Sequence, residues 1–179
     1  MREIDEILKN GIRDIPDYPQ AGVIFKDITP LLADHSGFTQ VVEALADAGR
    51  DAEGNPVVDK VVGIEARGFI LAAPVALALG AGFVPVRKKG KLPAATYEES
   101  YALEYGEATI EVHRDAFTPG DRVLVVDDVL ATGGTVEACL RLLRRCEAEV
   151  VGTTVLIELS FLPGRERLAA EQFSALLTV

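Results

Sequence analysis

The feature that most constrains the fold is an alternation of short, continuous apolar runs with apolar-faced helical segments. Lys60 to Ile64 (KVVGI), Phe83 to Val86, Arg122 to Val126 and Val150 to Leu159 each read as a buried strand. Between them, Gly68 to Gly80 reads as a helix ending at a glycine, with Pro74 placed to kink it. Gly134 to Arg145 reads as a second helix, with Val136, Cys139, Leu140 and Leu143 on one face. Continuous rather than alternating apolar strands are covered on both faces. The expectation is therefore an α/β fold with a mainly parallel twisted sheet flanked by helices. In such sheets ligands bind beyond the carboxyl ends of the strands.

The remaining segments carry weaker signals. Residues 2 to 10 spell an amphipathic helix, and the opening MREIDEILKN has no signal-peptide core. Ile15 to Pro30 reads as irregular, because prolines and a glycine interrupt it. Gly37 to Arg50 has helical spacing, and Ala108 to His113 alternates as a half-buried strand. The stretch from 87 to 106 is long, polar and weakly patterned, which suggests a functional or mobile loop. A short helix near 165 to 170 and a strand near 173 to 178 complete the 179 residues, which suit a single domain.

Composition bounds the function. A net charge of −10 repels nucleic acid, and no apolar run approaches the roughly 18 residues of a membrane span. The only cysteines, Cys139 and Cys146, sit two helical turns apart, too far for a disulfide. With no leader, that points to the cytoplasm. His35 and His113 form no zinc pattern. Against the acidic background, Arg87-Lys88-Lys89-Gly90-Lys91 is a local basic patch that could focus an anion.

The densest chemistry lies in Val123 to Thr135, VLVVDDVLATGGT. A strand delivers two adjacent carboxylates, Asp127 and Asp128, and the loop Ala131-Thr132-Gly133-Gly134-Thr135 then opens a helix. Glycines let amides approach an anion, hydroxyls add donors, and a helix N-terminus favours a monophosphate. The acidic pair can accept hydrogen bonds from a diol or help hold magnesium. A P-loop enzyme would need GxxxxGK[ST] and a dinucleotide enzyme GxGxxG after a strand; the chain has neither.

This segment resembles the phosphoribosyl-pyrophosphate motif of the type I phosphoribosyltransferases. The resemblance implies that Asp127 and Asp128 bind the ribose hydroxyls and that Ala131, Thr132, Gly133, Gly134 and Thr135 cradle the 5-phosphate. Gly22 to Pro30, preceded by Ile15-Pro16-Asp17-Tyr18-Pro19, is similar to the base-binding hood of adenine phosphoribosyltransferases, which would occupy about residues 1 to 33. Periodicity alone would make Phe25 a core plug in an extended linker. The resemblance makes it a stacking face for adenine, with backbone groups of Ile24 and Lys26 reading the base edge. Gly63-Ile64-Glu65-Ala66-Arg67-Gly68-Phe69 resembles the pyrophosphate loop. There Arg67 would pair with pyrophosphate, and a non-proline cis peptide would fall at Glu65-Ala66, where the family often has Asp-Ser. Residues 87 to 106 resemble the family's flexible catalytic loop. Its Arg87, Lys88 and Lys91 would grip pyrophosphate, Glu104 would exchange a proton at adenine N7, and Tyr105 would help close the lid.

By this resemblance the substrates are adenine and phosphoribosyl pyrophosphate, and the assembly is a homodimer. Mg²⁺ would be held mainly through the pyrophosphate and ribose hydroxyls, with Asp127 and Asp128 reaching it through water. The competing expectations are an enzyme for another purine base, or a regulator that keeps the phosphoribosyl-pyrophosphate site without catalysis.

Overall fold

The computed structural model describes residues 4 to 102 and 106 to 179. Residues 103 to 105, which include Glu104 and Tyr105, lie outside them. The chain divides into two compact units, one ending at Ala44 and one beginning at Leu45.

In the first unit, α1 (Ile4–Gly11) buries Ile7 and Leu8, the apolar face of its amphipathic sequence. Gly11 lies close against Leu31 of α2 (Thr29–Ala33), and Gly37 of α3 (His35–Ala46) against Ile7. The stretch expected to be irregular instead contains β1 (Arg13–Pro16) and β2 (Ile24–Asp27), an antiparallel pair with Ile15 opposite Phe25. Strands of four residues have too few positions to reveal a period of two. Pairing is secured by charge: Arg13 meets Asp27 at 2.6 Å and Lys26 meets Asp14 at 2.7 Å.

The second unit is a seven-stranded sheet of order β5-β6-β4-β3-β7-β8-β9. Its strands are β3 (Lys60–Ile64), β4 (Gly82–Lys88), β5 (Thr96–Ala102), β6 (Glu107–His113), β7 (Arg122–Leu130), β8 (Glu149–Glu158) and β9 (Phe173–Thr178). From β4 to β9 all neighbours are parallel; β5 and β6 join antiparallel at one edge. The helices α4 (Arg67–Leu79) and α5 (Gly134–Arg145) are the crossovers β3-α4-β4 and β7-α5-β8. The two crossovers run in opposite directions from the centre of the sheet. Right-handed connections therefore place α4 and α5 on opposite faces, and the split between β3 and β7 is the switch point where such sheets bind ligands. Helix α4 runs unbroken through Pro74.

Part of the weakly patterned loop is ordered strand. Residues 96 to 102 form β5, which lies along α5. Arg141 Nε meets Glu99 Oε1 at 2.7 Å, and Tyr97 stacks beneath the guanidinium groups of Arg114 and Arg145. The strand is hard to read from sequence because polar and aromatic contacts to arginines replace the usual apolar alternation. At the far edge, the short helix α6 (Gly164–Arg167) is tied to β8 by Arg165, whose guanidinium contacts both oxygens of buried Glu158 at 2.6 and 2.5 Å. Cys139 and Cys146 are both free and buried. No helix among the described residues is long and apolar enough to cross a membrane.

Candidate active site

Strand β7 is longer than the sequence suggests, and its extra length makes the site. Its pairing with β3 stops at Val126, opposite Gly63, while its pairing with β8 continues to Leu130. Asp127 and Asp128 therefore sit inside the strand, where its β3 side has opened.

The pair is tightly built. The Asp128 amide donates to Asp127 Oδ1 at 2.9 Å. Arg67, at the first turn of α4, brings Nη2 to 2.8 Å from Asp128 Oδ2. That contact is an ion pair; Oδ2 has no aligned hydrogen-bond donor among the described residues. Gly68 packs close against Asp127, since a Cβ there would stand 2.7 Å from Asp127 Oδ1. Removal of its carboxyl from water, reinforced by the neighbouring charge of Asp128, raises the pKa of Asp127 well above the ordinary carboxylate value.

Beyond the pair, a cavity of about 90 Å³ is lined by Asp127, Val129 and the backbone from Leu130 to Val136. It coincides with the expected phosphate cradle. Gly133 caps α5 at φ 81°, a left-handed conformation that other residues adopt only at a cost. The first amides of a helix have no partner within it and point outward as anion donors. Tyr101, at the end of β5, accepts a hydrogen bond from Thr135 Oγ1 at 3.1 Å. The cradle also rests on α6: a Cβ at Gly164 would lie 2.3 Å from Ala131 O, and Gly164 Cα approaches Gly133. A larger cavity, about 180 Å³, lies elsewhere, where β8 and β9 begin beside Ala48; it has no charged lining residue. A third, about 400 Å³, is lined by Arg165, Glu166, Leu168, Ala169, Glu171 and Phe173; of the three, the smallest is the one that adjoins the carboxylate pair, through Asp127.

The pyrophosphate-loop residues converge next to the basic run. The Glu65–Ala66 peptide is cis, at the place the resemblance implied. Glu65 Oε1 meets Lys91 Nζ at 2.7 Å, and Oε2 accepts from the Lys88 amide at 3.0 Å and faces Arg87 Nε at 3.4 Å. Burial acts to raise the Glu65 pKa, but the Lys91 ammonium and the Lys88 amide outweigh it and hold it below its usual value. Glu111, also buried, accepts from the amides of Lys91 and Leu92, both at 2.8 Å. Lys89 is directed elsewhere, to Glu98 of β5 at 2.7 Å.

In the first unit, Ile24, Phe25 and Lys26 lie together on β2. Phe25 is half-buried, and Tyr18 packs edge-on against it at 5.1 Å. Tyr18 is itself 54% exposed.

No group of three or more His, Cys, Asp or Glu among the described residues could enclose a metal. Asp127 lines the cavity, while Asp128 Oδ2 is buried and faces Arg67 Nη2 at 2.8 Å, so a cation at this pair would draw most of its ligands from elsewhere.

Comparison with known proteins agrees with this geometry. The phosphoribosyl transferase domain family matches residues 29 to 170. A Nocardioides adenine phosphoribosyltransferase is 66% identical over 94% of this chain and 91% of its own. The crystal structure of the Rhodothermus marinus adenine phosphoribosyltransferase superposes with a TM-score of 0.90 at 53% identity, covering 98% of each chain. That of the Saccharomyces cerevisiae enzyme, solved with an iminoaltritol bisphosphate and adenine, gives 0.93 at 35% identity, covering 99% of this chain and 100% of that one. On the open carboxylate pair, the glycine-rich cradle and this full-length likeness, the chain belongs to the adenine phosphoribosyltransferases of the type I phosphoribosyltransferase family.

Proposed function

We propose that the chain transfers the 5-phosphoribosyl group of phosphoribosyl pyrophosphate to N9 of adenine, giving AMP and pyrophosphate. The observation that carries the phosphoribosyl half is the Asp127–Asp128 pair, set where β7 parts from β3 and beside the cavity of the Ala131–Thr135 loop. Two adjacent carboxylates can accept from the two hydroxyls of a ribose, while the amides and hydroxyls of the loop donate to its 5-phosphate. The adenine half is supported by the relatives, from 57% to 66% identical, that carry this activity.

The residues divide the work. Arg67, with Lys88 and Lys91, stabilises charge gathering on the departing pyrophosphate. Asp127 and Asp128 fix the ribose as positive charge develops at C1. Phe25 supplies a face for the base, and backbone groups of Ile24 and Lys26 read its edge. Glu104 exchanges a proton at N7 while N9 forms the new bond to C1, and Tyr105 helps cover the site against water. The C1–oxygen bond to pyrophosphate breaks with both its electrons leaving on oxygen, so no covalent enzyme intermediate is needed. Bound Mg²⁺ would add neutralising charge at the pyrophosphate, with Asp127 and Asp128 the residues able to reach it through water.

A homodimer fits the exposed apolar side chains Ile70, Leu77 and Phe83, of which Leu77 is 84% exposed. Two buried thiols without a disulfide suit the cytoplasm. The test is an incubation with phosphoribosyl pyrophosphate, Mg²⁺ and each purine in turn. AMP formation with adenine alone is the expected result. IMP, GMP or XMP as the main product would overturn the adenine reading, and the absence of any nucleotide would favour a regulator.

A further inference from the structure

Glu65 precedes Ala66 and Arg67 in the pyrophosphate loop, yet its side chain, 8% exposed, turns to the basic run that ends β4 and continues past it to Lys91. Oε1 takes the Lys91 ammonium at 2.7 Å, and Oε2 takes the Lys88 amide at 3.0 Å and faces Arg87 Nε at 3.4 Å. The Glu65 amide adds a bond to Val86 O at 3.0 Å, and Arg87 Nη1 donates to Lys91 O at 3.3 Å. Lys91 is thus held at both ends, its amide by Glu111 and its ammonium by Glu65. Two of the four cations assigned to pyrophosphate, Lys91 and Arg87, converge on one carboxylate.

We propose that Glu65 is a positioning residue that competes with pyrophosphate for Lys91 and Arg87, and so limits how tightly the leaving group is held. The inference rests on the function proposed above. A pyrophosphate oxygen reaching Lys91 must displace a carboxylate already in hydrogen-bonded contact with it. The cations are thereby pre-arranged in the site, and part of their attraction for the anion is offset. An enzyme that must release pyrophosphate each turnover gains from that offset, because product held by unopposed cations leaves slowly.

The experiment measures binding of inorganic pyrophosphate, with Mg²⁺, by titration calorimetry, alongside steady-state kinetics and melting temperature. Glu65→Gln keeps the shape and an acceptor for the Lys88 amide but removes the charge. It is expected to bind pyrophosphate at least fivefold more tightly, to lower KM for phosphoribosyl pyrophosphate, and to lower kcat through slow release. A residue that only braced the loop would instead weaken pyrophosphate binding when altered. Glu65→Asp keeps the charge but recedes from Lys91 by one methylene. It is expected to tighten binding about twofold or more, and gives the same reading should the Gln variant fail to fold. Folded variants that bind pyrophosphate no more tightly than wild type overturn the role of Glu65. Wild-type protein that binds no pyrophosphate overturns the underlying function as well.

Discussion

Arg67 Nη2 stands 2.8 Å from Asp128 Oδ2, so the cation that opens α4 and a carboxylate of the β7 pair form one electrostatic unit. Each holds the other in place: the first turn of α4 aims the guanidinium, and the opened end of β7 fixes the carboxylate. Arg67→Gln removes the cation that faces a nearly buried acid. The arginine side chain is 37% exposed, so solvent screens the pair, and the expected stability loss is about 1 kcal/mol, well below that of a fully buried pair. The catalytic loss should be larger: about 100-fold in kcat/KM for phosphoribosyl pyrophosphate, since the forked donor acts on developing charge. Arg67→Lys should restore most of the stability but little of the activity. Full activity in the Lys variant would show that the fork is unnecessary.

Gly68 tests the same unit by sterics alone. Alanine is ordinarily the better helix former by about 1 kcal/mol. Here a Cβ would come within 2.7 Å of Asp127 Oδ1 and 3.2 Å of Val126 O. Gly68→Ala is therefore expected to change the melting temperature little while raising KM for phosphoribosyl pyrophosphate tenfold or more, because the carboxylate must move. Unaltered kinetics would mean that the Asp127 side chain can shift without cost to ribose binding.

What the sequence made legible follows from where the signal is local. Lys60 to Ile64 and Phe173 to Thr178 announce themselves by apolar content, and Gly134 to Arg145 by helical period, and each forms where expected. The carboxylate pair and the Thr-Gly-Gly-Thr loop are contiguous, so their chemistry could be read before any fold was known. Elements that depend on distant partners were hidden. β5 is stabilised by Arg141 and Arg145, about forty residues away, and β1 and β2 by single ion pairs across a hairpin. The extension of β7 to Leu130 depends on β8, and Glu65 acquires its role only when β4 brings Lys91 alongside. Gly164 gave no signal, because the need for a missing side chain appears only once Ala131 packs against it.

That packing makes Gly164 a sensitive position outside the motif. A methyl group there would stand 2.3 Å from Ala131 O and 2.9 Å from Leu130 Cγ. Both contacts fall on the entry to the Ala131–Thr135 loop, and a backbone oxygen cannot yield as a flexible side chain can. Gly164→Ala is expected to cost about 1–3 kcal/mol of stability, typical of overpacking. It should also weaken ribose 5-phosphate binding in a calorimetric titration by tenfold or more. Wild-type affinity for ribose 5-phosphate would show that the cradle keeps its shape without support from α6.

Asp127 ties the site to pH. Burial and the charge of Asp128 raise its pKa in the folded protein, so the native state favours the protonated acid. The stability this group contributes is fully present below the unfolded value, near 3.9, and is lost as pH rises through the raised folded pKa. Toward neutral pH the fold thus carries this acid at some cost, and a diol hydrogen-bonded to it would offset part of that cost. Asp127→Asn keeps an Oδ1 acceptor for the Asp128 amide but removes the ionisation. The variant should melt a few degrees higher than wild type at pH 7.5, with the difference shrinking toward pH 4, because both proteins are then neutral at this position. Its kcat/KM for phosphoribosyl pyrophosphate should fall by about 100-fold or more, since an amide accepts less strongly from the ribose hydroxyls. Calorimetric melting across that pH range, paired with kinetics at pH 7.5, separates the two effects. A melting-temperature difference that stays constant with pH would refute the raised pKa, and undiminished turnover would remove Asp127 from the ribose site.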